Sequence, residues 1–248
     1  MSDLFYCRQI QEPKSLLTDS EAHHAINVLR MKAGDSIRLF DGHGTTADGR
    51  IQTLNRREVV VAVDQTICHS RQRSYRLTVA AAPPKGDRLK WMMEKLTELG
   101  VDRFIPLKTT RTVMQPGEAR LKKLESTIIS AAKQAGCLWL MEISEATTLQ
   151  SLLTADDGMF YFAHPGMESC VLPAMPNADQ TVVIGPEGGF TDEEVECARS
   201  AGVSFMAWAG SILRIETAAV VFAATVLSTN NRASPKPDGH SKSSVDED

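Results

Sequence analysis

The chain has 248 residues, 42% of them hydrophobic and 23% charged, with a formal net charge of −4. That is the composition of an ordinary soluble globular protein, long enough for one large domain or two modest ones. It argues against a uniformly basic nucleic-acid coat, and no run of about 18 apolar residues exists to cross a membrane. The start, Met1 to Arg8, lacks the apolar core of a signal peptide, so cytoplasm is the expected compartment. Five scattered cysteines form no C-x-x-C pair, and the adjacent His23 and His24 would point about 100° apart on a helix. No metal and no disulfide framework are expected.

Residues 1 to about 70 read mostly as short strands. Ser20 is the expected cap of a helix over 21–28, and Gly34-Asp35 turns the chain into Ser36–Phe40. Residues 49–54 and 58–64 continue the pattern, which suggests a small β-barrel. This part is the more basic one: residues 1–76 carry 11 Lys+Arg against 9 Asp+Glu, and the remainder 16 against 22. Such asymmetry fits a polyanion partner or simply a solvated charged face. Residues 65–76, polar and basic, read as a linker.

A different rhythm follows. Leu77–Ala82 is strand-like, and Asp87 is the expected N-cap of a helix carrying Leu89, Met92, Met93, Leu96 and Leu99, with Gly100 past its end. A strand is expected at 103–107, a helix over 118–135, a helix near 149–153, and strands at 159–163 and 181–184. Thr191 and Glu194 are spaced as a capping box for a helix over 192–201. A strand at 204–208 and a helix from Glu216 to Ser228 complete the core. Strands alternating with helices predict an α/β fold with a mostly parallel sheet. The last helix is apolar around its circumference, which makes a second copy of the chain the economical partner. The tail from Arg232 to Asp248 has no periodicity and is expected to be disordered.

The chemistry concentrates in two patches that each follow a strand and open a helix. One is Ile184-Gly185-Pro186-Glu187-Gly188-Gly189-Phe190; the other runs from Gly210 through Arg214, Glu216 and Thr217 to Ala218. Neither matches a P-loop, a dinucleotide fingerprint or a G-x-S-x-G elbow. In a parallel sheet both lie at the C-terminal strand ends, where ligands bind. Arg214 and Glu216 either pair with each other at the junction or address a ligand and a substrate base.

These patches together resemble the knotted SPOUT methyltransferases, specifically the ribosomal RNA small subunit methyltransferase E family, which methylates N3 of a uridine in 16S rRNA. His23–Arg30 with Gly34-Asp35 is similar to that family's PUA-like N-terminal domain, and Lys95–Val101 with Pro106 to its catalytic domain. The resemblance implies a PUA-like β-barrel over 1–72 and a trefoil-knotted SPOUT methyltransferase domain over 73–231. It also implies a homodimer, S-adenosyl-L-methionine as methyl donor and the small ribosomal subunit as partner. The chain departs from the family pattern at Thr110-Arg111-Thr112, and around Gln134, where Ser130, Ala135, Cys137 and Met141 replace the usual Glu, Ser, Arg and Pro.

On that resemblance, the cofactor contacts are expected from His164, Ile184, Gly185, Pro186, Glu187, Gly188, Gly189, Trp208, Gly210, Ile212, Leu213 and Thr217. Arg8, Arg30 and Arg111 are the expected RNA contacts. Uracil N3 carries a proton that must leave before attack, so a base or a stabilising cation is required. Arg214 is the expected stabiliser, and Glu187 or Glu216 the proton acceptor. Two alternatives remain: a SPOUT ribose 2′-O-methyltransferase, and a non-catalytic RNA-binding assembly factor.

Overall fold

The computed structural model describes residues 4–113, 117–155, 158–167, 177–208 and 211–233. The N-terminal part holds β1 (Leu4–Tyr6), β2 (Lys14–Thr18), β3 (Ser36–Phe40), β4 (Thr45–Leu54) and β5 (Glu58–Cys68), in the sheet order β1-β3-β4-β5-β2. Alternation places Leu17, Ile37, Leu39, Val59 and Val61 on the buried face with Phe5. The helical turn after β2 is α1 (Asp19–His23), capped by Thr18 instead of Ser20, and it widens into a π-turn over His24–Val28. Ala22 and Ala25 from this segment close the same core.

The expected linker is largely structured. Strand β5 continues to Cys68, pairing with β4 as far as Thr45 through a register shift near Asp48 and Gly49, although its side chains beyond Val63 are largely exposed. Beyond it, Arg71 and Arg73 both ion-pair with the buried carboxylate of Asp102, which also accepts from the Leu77 amide at 2.8 Å. Main-chain bonds join the two parts as well: Gly44 N–H donates to Leu138 O (3.1 Å) and Leu140 N–H to Gly42 O (2.9 Å). Gly44 sits at φ +92°, and a Cβ there would fall 2.2 Å from the Trp139 ring.

The second part contains β6 (Leu77–Ala81), α2 (Asp87–Glu98), β7 (Arg103–Lys108), α3 (Glu118–Ala135), β8 (Glu142–Ile143), β9 (Thr147–Thr148), α4 (Leu149–Ala155) and β10 (Met159–Ala163). It ends with β11 (Gln180–Ile184), α5 (Asp192–Ser200), β12 (Ser204–Met206) and α6 (Ile215–Ala233). The strands form one parallel sheet, β12-β10-β11-β6-β7-β8, with β9 also on β7. Every residue of β6 and β11 is buried, as expected for central strands covered on both faces. Val79, Ala81, Val182 and Ile184 pack against Leu89, Met92, Ala219 and Phe222 of α2 and α6. Ala80 and Val183 face Leu149, Leu152, Val195 and Ala198 of α4 and α5. Each large apolar side chain so buried contributes about 1.5–3 kcal/mol.

Local differences from the sequence reading have simple causes. Gly86, at φ +65°, takes the N-cap of α2, and Asp87 becomes its first residue, still placing a carboxylate at the positive helix end. Met141 is buried core, and Cys137 Sγ lies 3.6 Å from Thr97 O. Helix α6 extends through Arg232 and Ala233, the first two residues of the expected tail; the rest of that tail lies outside the described residues. No helix among the described residues is long and apolar enough to cross a membrane.

Candidate functional site

Parallel register brings the C-terminal ends of β10, β11 and β12 to one edge. Ala163 pairs with both Ile184 and Met206, so the segments that follow these three strands leave the sheet side by side. They enclose a cavity of about 460 Å³. Its walls include His164, Ile184, Gly185, Pro186, Glu187, Gly188, Gly189, Trp208, Ile212, Leu213 and Arg214 from the sequence-based set. Phe190, Ser211 and Ala218, from the same two patches but outside that set, also line it, and so does Phe222 of α6. Gly210 lies outside the described residues, and Thr217, half-buried on α6, is not among the lining residues.

The glycine loop is held from several sides. Thr191 and Glu194 form the capping box expected of them: the Glu194 amide donates to Thr191 Oγ1 (3.3 Å), and the Thr191 amide to Glu194 Oε2 (2.9 Å). The other Glu194 oxygen accepts from the Thr110 amide at 2.8 Å. Arg111, expected to meet RNA, donates to the carbonyls of Gly188 (2.7 Å) and Phe190 (3.3 Å), and the residue stays exposed. Gly185 lies so close to the Phe190 ring that a Cβ would fall 2.7 Å from it. That ring in turn stacks on Phe162 with centroids 4.3 Å apart. Glycine at 185 therefore reflects close packing, since its φ is not in the left-handed region.

The charged groups are arranged differently from one another. Glu187 lines the cavity with its side chain 46% exposed. Glu216 is buried in the first turn of α6, off the cavity wall, with its side chain 8% exposed. The cation nearest both is Arg88 of α2, 3.1 Å from Glu187 and 3.8 Å from Glu216. Glu216 thus pairs with Arg88 and not with Arg214, whose guanidinium is exposed and without an ion pair among the described residues. His164 accepts from the Gly166 amide through Nδ1 at 3.1 Å. Burial pushes its pKa below the usual 6.5, with Asp192 opposing weakly, so the ring is neutral at pH 7.

Arg8 and Arg30 are exposed on the N-terminal part, away from the cavity wall. A wider cleft of about 900 Å³ lies where Arg71–Tyr75 meet α2, Trp139 and α6, and there Arg71 and Arg73 share the one carboxylate of Asp102. Among the described residues no group of three or more His, Cys, Asp or Glu side chains is placed to hold a metal ion.

Comparison with known proteins gives concordant matches. Residues 71–227 match the family model of an RNA methyltransferase domain, and residues 17–64 that of an RNA methyltransferase PUA domain. The chain is 30% identical over 217 residues to the ribosomal RNA small subunit methyltransferase E of Rickettsia conorii, covering 85% of this chain and 88% of that one. It is 29% identical to the Bacillus subtilis protein of the same name, covering 85% and 89%. A Legionella pneumophila protein solved with bound cofactor SAM superposes with a TM-score of 0.82 at 27% identity, over 92% of this chain and 98% of that one. The ribosomal RNA small subunit methyltransferase E of Neisseria gonorrhoeae, bound to S-adenosyl methionine, shares the fold with a TM-score of 0.82 at 24% identity, over 92% and 98%.

Proposed function

The chain belongs to the ribosomal RNA small subunit methyltransferase E family, and we infer from that premise that it is an S-adenosylmethionine-dependent enzyme methylating N3 of a uridine in 16S rRNA. The observation that carries this reading is the cavity enclosed by the glycine loop, Trp208 and Ser211–Arg214, with the Glu187 carboxylate on its wall and an Arg214 guanidinium that has no ion pair among the described residues. The residues present fit the cofactor. The volume lies within the range of about 300–1,000 Å³ usual for small-molecule sites, and the wall is mostly apolar with few polar groups. The tight Gly185–Phe190 contact lets backbone, not side chains, line that part of the wall. A cationic ligand there meets the Glu187 carboxylate and a His164 ring held uncharged.

When bound, S-adenosylmethionine would supply an activated, sulfonium-borne methyl group for transfer to uracil N3. The protein must remove the N3 proton and stabilise the charge it leaves. Glu187 is the carboxylate on the cavity wall, and we assign it the proton; a positioned base contributes about 10²–10⁴-fold. Arg214, with no ion pair among the described residues, stabilises the negative charge that spreads onto the uracil carbonyls. Arg8 and Arg30 are assigned to RNA phosphates, which position the substrate without reading its sequence. The partner is the small ribosomal subunit, and the setting is the cytoplasm.

The same reading includes two features of assembly. A second copy of the chain covers the strip of α6 formed by Thr217, Val220, Val221 and Ala224, which is only half-buried in one chain. The path through β10, β11 and β12 to α6 is knotted as a trefoil, a rare exception to unthreaded folding, within a domain spanning 73–231 that follows an RNA-binding domain of 1–72.

The test is methylation of small subunits that lack the modification, using labelled S-adenosylmethionine and nucleoside digestion. Label on uridine N3 is expected, and label on a ribose would overturn the assignment. Glu187→Gln is expected to lower turnover by about 100-fold or more.

A further inference from the structure

Arg88 contributes nothing to the cavity wall, yet it touches both carboxylates of the site. It is the second residue of α2, and its Nε donates to the Lys85 carbonyl at 3.4 Å. Nη2 donates to Glu187 Oε1 at 3.1 Å, and Nη1 stands 3.8 Å from Glu216 Oε2. The two contacts differ in kind. The first is a hydrogen-bonded pair at a half-open surface, where an isolated ion pair stabilises little. The second is too long for a hydrogen bond but involves a carboxylate only 8% exposed. Glu216 Oε2 has no hydrogen-bond partner among the described residues, and the guanidinium is the cation that faces this buried carboxylate.

A buried anion that depends on one cation fixes that cation in place. A fixed, planar guanidinium then fixes whatever else it binds, because its fork has one geometry. Glu187 is the group so fixed. Its Oε1 is engaged by Arg88, while Oε2 has no partner among the described residues. We infer that Arg88 is a positioning residue: Glu216 anchors the guanidinium, and the guanidinium holds the Glu187 carboxylate in one orientation, with one oxygen left to receive a proton. This rests on the assignment of Glu187 as proton acceptor. It gives Glu216 a task at a distance from the substrate, consistent with its place off the cavity wall.

The experiment is steady-state methylation of unmodified small subunits by the full-length protein and its Arg88→Gln, Arg88→Lys, Glu216→Gln, Glu187→Gln and Arg88→Gln/Glu216→Gln variants. Affinity for S-adenosylmethionine is measured alongside by calorimetry. Arg88→Gln is expected to lower kcat by about 10- to 100-fold with cofactor affinity within about twofold, as misplacement of a reacting group does. Arg88→Lys keeps the charge but not the fork and should recover only a small part of the loss, Glu216→Gln should copy Arg88→Gln, and the double variant should be no slower than Arg88→Gln alone. Multiplying losses in the double variant would overturn the anchoring chain, and an undiminished kcat in Arg88→Gln would overturn the role of Arg88. So would an Arg88→Gln variant that no longer binds S-adenosylmethionine, since Arg88 would then be holding the cavity and not the carboxylate. Full turnover by Glu187→Gln removes the proton-acceptor assignment and this inference together. A slow Glu187→Gln beside a fast Arg88→Gln removes this inference alone.

Discussion

The two walls of the cavity are built to different standards of rigidity. The glycine-loop wall is over-determined: Ile184 and Phe190 are buried, Arg111 binds two of its carbonyls, Arg88 binds its carboxylate, and a capping box closes its end. The facing wall presents side chains with little behind them. Trp208 is 50% exposed, Ile212 is 84% exposed, and Arg214 has no ion pair among the described residues. One wall loses its conformational freedom when the chain folds; the other loses it only when something binds. Pre-organised geometry and adaptable recognition are thus divided between two segments of one site.

Substitutions on the two walls should therefore fail in different ways. The largest expected effect is Gly185→Ala, which forces a Cβ against the Phe190 ring. Thermal unfolding should show a loss of about 1–3 kcal/mol, typical of overpacking, with cofactor affinity reduced about tenfold or more. Unchanged melting would show that the glycine wall is softer than its contacts imply. Arg111→Ala removes two charge-assisted bonds from an exposed side chain, so a smaller loss of about 1 kcal/mol is expected, read as roughly fivefold weaker cofactor binding in calorimetry. On the facing wall, Ile212→Ala should leave stability within about 0.5 kcal/mol, while still weakening cofactor binding measurably. A destabilisation equal to that of Gly185→Ala would erase the contrast.

The smallest effect should be a pH dependence from His164. Its pKa is lowered in the folded chain, so the unfolded chain takes up a proton first as pH falls. The stability associated with the neutral ring is complete above pH 6.5 and declines below it, as the pH approaches the lowered folded value. A protonated ring in the wall also repels a sulfonium, so cofactor affinity should fall over the same acidic range. His164→Asn should flatten that dependence.

Much of the scaffold of this site was legible in the sequence, because its signals are local. The apolar run ending at Ile184, the glycines after it and the Thr191–Glu194 spacing each act within a few residues, and the structure places them as expected. The helix starts at Ser20 and Asp87 were displaced by one or two residues because Thr18 and Gly86 supply the cap geometry. Arg88 was invisible: it lies 99 residues from Glu187, and on a helix of mixed polarity one arginine carries no distinguishing pattern. Arg111 was legible as an important cation but not as one turned toward carbonyls of its own chain. The basic run at Arg71 and Arg73 looked like a linker because its buried partner, Asp102, comes about 30 residues later.

The central position of β6 has a consequence for how the chain must be made. It is the first strand of its sheet to be synthesised, yet it pairs on one side with β7 and on the other with β11, whose partner residues (Gln180 for Leu77) lie about 100 residues downstream. At a translation rate of about 5–20 residues per second, one edge of a mostly apolar strand waits roughly 5–20 s for its neighbour. During that interval the nascent sheet is an open template for other strands. Overproduction without chaperones should send much of the chain into aggregates nucleated at Leu77–Ala81, even though the finished molecule buries that strand entirely.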